Sequence, residues 1–377
     1  MVCNALIPSN SSNSECRMPY SPASVVHIDG KKVSRSEPVY FIAEIGSNFD
    51  RDLGRAKDLI YLAKEAGADA AKFQHYTAGS LVSDFGFKKL GGRQSHQASW
   101  KKSVFETYQD ASLNQEWTSV LKKTCDEAGI SFFTSPYSLE LVDYVDPFVP
   151  AFKVGSGDIT WHEIIVRMAS KGKPVLLATG ASSLEDVRAA VDATLAVTPN
   201  LVLLQCNTNY TAGHENYSYV QLNVLSEYAR YYPGIVLGLS DHMPGHVTVL
   251  GAVALGARVI EKHFTDSTDR EGPDHSFSMT PGAWREMVER TRELEASLGD
   301  GQKKIEENER ETIVVQRRCI RASRDLDANA LLSAGDLAML RPCPADGIAP
   351  FRVRDLIGKR LTRRVSSGEH IRWEDVV

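Results

Sequence analysis

Between residues 39 and 298, short apolar runs alternate with longer stretches whose apolar positions recur every three or four residues. The runs are VYFIAEI (39–45), AAKFQ (70–74), SFFTS (131–135), AFKVG (151–155), PVLLAT (174–179), LVLLQC (201–206), IVLGLS (235–240) and RVIEKHF (258–264). They are nearly continuous in Val, Ile, Leu and Phe, the pattern of strands covered on both faces. The stretches between them carry helical signals. In LGRAKDLIYLAKEAGA, Leu53, Ala56, Leu59, Ile60 and Ala63 share one face and Gly67 ends the helix. SLEDVRAAVDATLAV opens on Ser183 as N-cap, with Glu185 and Asp186 in the first turn. Eight strands with repeated βα units predict a (β/α)8 barrel, the TIM barrel, with an open doubly wound sheet as the alternative.

The pattern changes at both ends. Residues 1–35 are rich in Ser, Asn and Pro in their first part and read as an extension, partly disordered or an extra arm. Residues 36–298 hold the barrel. Residues 299–312, LGDGQKKIEENERETI and its surroundings, are charged and Gly-punctuated and read as a linker. Residues 313–377 alternate short β-like runs (VVQRRCIRAS, LAMLRP, KRLTRRV) with turn signals and predict a small β-rich domain. Within the barrel, the connection from Tyr76 to Ser112 is long and aromatic, which predicts a lid over the barrel mouth.

Composition narrows the functional classes. The chain has 377 residues, 42% hydrophobic and 24% charged, with net charge −5. No basic surface for nucleic acid is announced, and no apolar run reaches membrane-spanning length. The N-terminus lacks a basic start and an apolar core, so it is a poor signal peptide. The cysteines at 3, 16, 125, 206, 319 and 343 have neither zinc-ligand nor redox spacing and read as reduced thiols of a cytoplasmic protein. The glycosylation sequons at Asn10 and Asn216 read as chance.

Chemistry gathers where the strands end, which in a parallel barrel is the ligand face. Strand one ends in Glu44, then Gly46, Ser47 and Asn48; strand two carries Lys72, Gln74 and His75; strand three gives Thr134 and Ser135. Strand four gives Lys153 and then Ser156 and Asp158 of GSGD; strand five ends in Thr179-Gly180, and strand six leads into Thr208, Asn209 and Tyr210. Lysines inside apolar strands are costly unless paired. Lys72 and Lys153 therefore read either as ion-pair partners of Glu44 or Glu261, or as an electropositive pocket for a phosphate or carboxylate. Strands seven and eight end in His242 and His263. Their parallel placement suits a shared, exchangeable ion of the Mn²⁺ type, with core histidines as the alternative. After strand eight, Asp274 in DREGPDHSFS reads as a ligand for the hydroxyls of a polyol or as a solvated turn residue.

The motifs FIAEIGSN, AAKFQ, FKVGSGD, GLSDH, GAVALGARVIEKHFT and GPDHSFSM together resemble the sialic acid synthase family, over roughly residues 38–300. The segment from QRRCIRASRDLDANALLSAGDLAMLRPC to the end looks like that family's antifreeze-like SAF domain. The resemblance implies condensation of phosphoenolpyruvate with an open-chain, N-acetylmannosamine-like amino sugar, giving a nine-carbon 2-keto sugar acid and phosphate by C–O cleavage. It implies His242 and His263 as metal ligands, for Mn²⁺ ahead of Mg²⁺ or Co²⁺. It places Lys72, Thr134, Lys153, Ser156 and Ser240 on phosphoenolpyruvate, and Glu44 with the two lysines at the reacting centre. Gln74, Tyr210 and Asp274 go to the sugar, with Arg341 reaching over it from the partner in a domain-swapped homodimer. The same chemistry on a diacetamido-trideoxy hexose, as for legionaminic or pseudaminic acid, and a non-catalytic binding barrel are the alternatives. The chain departs from the family pattern at Ala178, where a serine is usual, at CNTNYT, which lacks the usual proline, at Phe49 in place of a histidine, and at Asp158 in place of glutamate.

Overall fold

The computed structural model describes residues 20–90, 97 and 100–377. They divide into two compact units at Gly299/Asp300. The first opens on an antiparallel hairpin, β1 (Val25–Ile28) and β2 (Lys31–Ser34). Then follow β3 (Tyr40–Glu44), β4 (Ala70–His75), β5 (Ser131–Pro136), β6 (Phe152–Val154), β7 (Val175–Ala178), β8 (Leu201–Cys206), β9 (Val236–Asp241) and β10 (Ala257–His263). Among the described residues these eight strands form one sheet, parallel at every ladder, in the order β5-β4-β3-β10-β9-β8-β7-β6. The end strands β5 and β6 lie side by side, so the sheet curls into the expected barrel. Each of the eight apolar runs became a strand.

The helices form where their caps and faces direct. Asp52 accepts from Arg55 N to start Leu53–Glu65, which buries Ala56, Leu59, Ile60 and Ala63; Gly67, at φ +95, turns the chain out of it. Ser183 caps Leu184–Leu195 in a capping box with Asp186.

Successive strand side chains point to opposite faces. One parity packs outward against the helices, with Phe41, Phe73, Phe132, Phe152, Leu177 and Leu203 in the larger core. The other parity fills the barrel and changes character along the strands. Its lower layers are apolar, from Tyr40, Ile42, Ala70, Phe133, Ala151, Leu176, Val202, Val236 and Val259. Val26, Ile28 and Val33 of the hairpin pack into this same cluster and plug the barrel floor. Residues 25–34 are thus an ordered part of the barrel rather than an extension; residues 1–19 lie outside the described residues. At the carboxyl ends the inward parity turns polar.

The second unit pairs β11 (Cys319–Ala322) with β12 (Leu337–Leu340) antiparallel over a core of Ile320, Leu326, Leu332, Leu356, Leu361, Val365 and Ile371. Two sequence expectations are corrected here. The stretch expected to be a linker runs into a helix, Arg310–Gln316, which also takes the start of VVQRRCIRAS. KRLTRRV contributes isolated bridges at Arg360, Leu361 and Val365 rather than a strand. Among the described residues no helix is long and apolar enough to cross a membrane. Asn216 is buried, its amide donating to Asn209 Oδ1 and Thr211 Oγ1, so that sequon is not presented for modification.

Candidate active site

The polar upper layers of the inward parity form one cluster. Glu44, Lys72, Lys153, Ser240, Glu261 and His263 are all buried there. Lys72 Nζ donates to Glu44 Oε2 at 2.5 Å and lies 3.7 Å from Glu261 Oε2. Gln74 Nε2 donates to the other Glu44 oxygen at 2.6 Å. Lys153 Nζ is 3.4 Å from Glu261 Oε1, which also accepts from Ser240 Oγ at 3.1 Å. Each lysine is thus ion-paired, as the first of the two readings has it, and each points into the barrel mouth.

Two lysines and two carboxylates do not share charge evenly. Burial pushes the Glu44 carboxyl up to about 7 against the pull of Lys72, and the charge on Glu261 adds to the rise. Burial opposes ionisation of Glu261 as well, but Lys153 and Lys72 together hold it below the ordinary carboxylate range. Lys72 is held protonated by the two carboxylates in spite of its burial. A carboxyl poised near neutrality beside a permanent carboxylate is the arrangement that moves a proton at working pH.

The two histidines converge. Their ring centroids are 5.4 Å apart. His242 Nδ1 lies 2.8 Å from the Asn207 carbonyl oxygen, which can only accept. That bond fixes the proton on Nδ1 of the neutral ring and leaves the Nε2 lone pair for a ligand. Burial lowers the His242 pKa to about 3 and that of His263 as well, so both rings are neutral. His263 Nδ1 is buried with no hydrogen-bond partner, 3.8 Å from Asp274 Oδ2. Among the described residues no three His, Cys, Asp or Glu side chains group as a ready-made metal site. Two neutral imidazoles, one of them orphaned, fit an ion that takes its other ligands from water and substrate. Tyr210 and Phe277 wall the pair, with ring centroids 4.3 Å from His242 and 4.9 Å from His263 respectively.

Asp274 is fixed by Ser47, whose N and Oγ donate to Oδ2 at 3.2 and 2.9 Å. Its loop is braced by buried His275, bonded to Thr265 Oγ1 and to Asp50 Oδ1, each at 2.8 Å. Gly46 lies where these groups converge. A Cβ there would stand 2.6 Å from Asp274 Oδ2 and 3.5 Å from both Glu44 Oε1 and His263 Nδ1, and its φ is +55. Gly46→Ala is therefore expected to cost about 1–3 kcal/mol of stability from backbone strain and to displace Asp274. Urea unfolding and the Michaelis constants measure the two effects.

Thr134 is a correction. It shares the outward parity of Phe132, and its hydroxyl lies 2.7 Å from His75 Nδ1, whose Nε2 lies 2.7 Å from Thr118 Oγ1. At the carboxyl end of β5 the inward hydroxyl is Ser135, whose buried Oγ has no partner. The shared parity of Phe133 and Ser135 was legible in the sequence. Ser156 accepts from Gly180 N at 3.0 Å and, with Gln74, Asp158, Tyr210, His263 and Asp274, lines a cavity of ≈ 400 Å³. The expected lid residues Tyr76, Leu81, Val82, Phe87, Trp100, Thr107 and Tyr108 line it too, while residues 91–96 and 98–99 of that connection lie outside the described residues. Ala178 puts a methyl on the inner face, and Thr179 turns outward, donating to the Leu204 carbonyl and accepting from Tyr228. Phe49 packs on Phe73 and Trp117 in the outer core, away from the site. Arg341 belongs to the second unit, exposed at the end of β12.

The two histidines are held by a pair that sequence reading passed over. Asp241 and Lys262, outward neighbours of His242 and His263, form a buried ion pair. Asp241 Oδ1 also accepts from Met243 N at 3.2 Å, and Lys262 Nζ donates to Met243 O at 2.6 Å, so the backbone immediately after His242 is pinned.

The NeuB family model matches residues 59–303 and the SAF domain model residues 317–377. An N,N'-diacetyllegionaminic acid synthase of Legionella pneumophila is 35% identical over 89% of this chain and 94% of its own length. The human N-acetylneuraminate-9-phosphate synthase is 32% identical over 92% of this chain and 94% of its own. The crystal structure of an N-acetylneuraminic acid synthetase from Leptospira borgpetersenii superposes with a TM-score of 0.68 at 26% identity, covering 78% of this chain and 96% of that one.

Proposed function

The chain belongs to the NeuB family, and from that premise we propose that it condenses phosphoenolpyruvate with an open-chain N-acylated amino sugar to a nine-carbon 2-keto sugar acid and phosphate. One observation carries this reading. A buried cluster of two lysines and two carboxylates, one of them raised to about 7, adjoins two neutral histidines beneath a sugar-sized cavity.

Lys72 and Lys153, with the hydroxyls of Ser135, Ser156 and Ser240, neutralise and orient the phosphate and carboxylate of phosphoenolpyruvate. The Lys–Glu pairs keep the empty site neutral and part when the anion arrives. Gln74, Tyr210 and Asp274 orient the sugar so that its aldehyde carbon faces C3 of phosphoenolpyruvate. The C3–C1 bond forms, the aldehyde oxygen becomes an alkoxide and positive charge develops at C2. Water adds at C2, and Glu44 takes one of its protons and passes it to the sugar alkoxide. The tetrahedral intermediate then expels phosphate, the C2–O bond breaking and the remaining C2 hydroxyl proton leaving with the phosphate as the C2 carbonyl forms. His242 and His263 would hold a divalent ion of the Mn²⁺ type, which when bound supplies Lewis acidity toward the aldehyde.

The test is phosphate release from phosphoenolpyruvate that appears only when an N-acylated amino sugar is added. Release without any sugar, or none with a broad panel, contradicts the reading. The ion has its own test: Mn²⁺ at about 100 times its Kd is expected to stabilise metal-depleted protein by about 2.7 kcal/mol. Equal stabilisation of His242→Ala and wild type would refute the assignment. The homodimer implied by the resemblance is a further proposal, checked by sedimentation.

A further inference from the structure

The cavity over the cluster is walled by aromatic rings. Tyr76 meets Tyr108 and Tyr137 edge-on, with centroids 5.7 and 5.9 Å apart, and Trp100 meets Tyr108 at 5.9 Å. Edge-to-face packing of this kind braces each ring and holds its exposed part in place. Two carboxylates, Asp158 and Asp274, face the same space, and among the described residues that line it there is no lysine or arginine. Burial holds Asp158 up at about 6, so it is largely ionised at neutral pH and Asp274 adds a second acidic group.

Outside lies a second hollow of ≈ 540 Å³ that shares Ser47, Trp100 and Tyr210 with the first. It has basic side chains, but each is held by an acid. Arg51 and Lys102 pair with Asp110, Lys101 with Glu271 at 2.7 Å, and Arg270 with Asp266 at 3.1 Å. The outer hollow thus carries four basic side chains, all ion-paired, against the three carboxylates that line it, Asp50, Asp110 and Glu271, and the inner cavity then offers aromatic surface and carboxylates. The cationic groups Lys72 and Lys153 lie deeper, where phosphoenolpyruvate is proposed to bind.

Resting on the condensation proposed above, we propose that the acceptor is an uncharged N-acylated amino sugar, its acyl methyl and the C–H groups of its carbon chain packed on the aromatic wall, and that the site discriminates against the corresponding sugar phosphate. A phosphate ester would bring a dianion beside Asp158 and Asp274, and like charges set side by side discriminate strongly between partners.

The experiment compares initial rates of the full chain with Mn²⁺, phosphoenolpyruvate and three acceptors: N-acetylmannosamine, its 6-phosphate, and a 2,4-diacetamido-2,4,6-trideoxy hexose. At least one uncharged acceptor is expected to exceed the 6-phosphate by about 100-fold in kcat/KM. Tyr108→Ala is expected to raise the acceptor KM about tenfold and to leave that of phosphoenolpyruvate within about twofold. Trp100→Ala takes its place if Tyr108→Ala does not fold. Equal or faster turnover of the 6-phosphate overturns this inference and leaves the condensation standing. An unchanged acceptor KM in the aromatic variants overturns the role of the wall. Silence with all three acceptors overturns the condensation itself, and this inference with it.

Discussion

Glu44→Gln is expected to lower kcat by about 10³-fold, within the range that a positioned acid–base group contributes, while the chain stays folded. Glutamine keeps the shape of the side chain and its bond with Gln74, and Lys72 retains Glu261 as a counter-charge 3.7 Å away. In the proposed mechanism, what is lost is the ability to take and return a proton. The pH profile separates this from a structural effect. With its carboxyl raised to about 7 by burial, Glu44 is ionised above that pH and protonated below it. A base must be ionised, so wild-type kcat/KM is expected to fall as pH drops below about 7, by about tenfold per unit. The glutamine variant is expected to be slow at every pH and to lack that acid limb. A variant that keeps the limb assigns it to another group.

Lys262→Met is expected to destabilise the barrel by about 3–5 kcal/mol, read from urea unfolding at constant m-value. Lys262 and Asp241 are each about 2% exposed, so removing the amine strands a carboxylate away from water and leaves the Met243 carbonyl without its donor. The neutral companion Asp241→Asn keeps Oδ1 as the acceptor for Met243 N, and its amide nitrogen, standing where Oδ2 served Thr248 and Lys262, can donate to the Thr248 hydroxyl, which is able to accept. The double variant is therefore expected to recover most of the loss, since replacing both partners of a buried pair is far cheaper than stranding one. Additive losses in the double variant would show that the two residues act independently.

Much of the site was legible because a parallel strand buried on both faces still alternates. Reading Tyr40, Ile42 and Glu44 as one face, and Phe133 and Ser135 as another, locates the level at which the barrel interior turns from apolar to polar. Choosing Thr134 over Ser135 ignored that parity. The Asp241–Lys262 pair was present in the same motifs as the histidines, but its partners are 21 residues apart and meet only through the register of β9 on β10. Nothing local announces that Ser47 holds Asp274 across 227 residues, or that His275 is bonded to Asp50 across 225. The floor hairpin was missed for a different reason. Its strands are four residues each, and their apolar positions Val26, Ile28 and Val33 are too few to outweigh the polar composition around them.

The most direct test of the central claim follows one oxygen. Phosphoenolpyruvate labelled with ¹⁸O in the bridge between C2 and phosphorus is incubated with the enzyme, Mn²⁺ and an accepted amino sugar, and both products are analysed by mass spectrometry. Condensation with C–O cleavage predicts that the label leaves with phosphate and that the new C2 carbonyl takes its oxygen from water. Label retained in the keto acid, or labelled pyruvate formed without a nine-carbon product, would contradict the account.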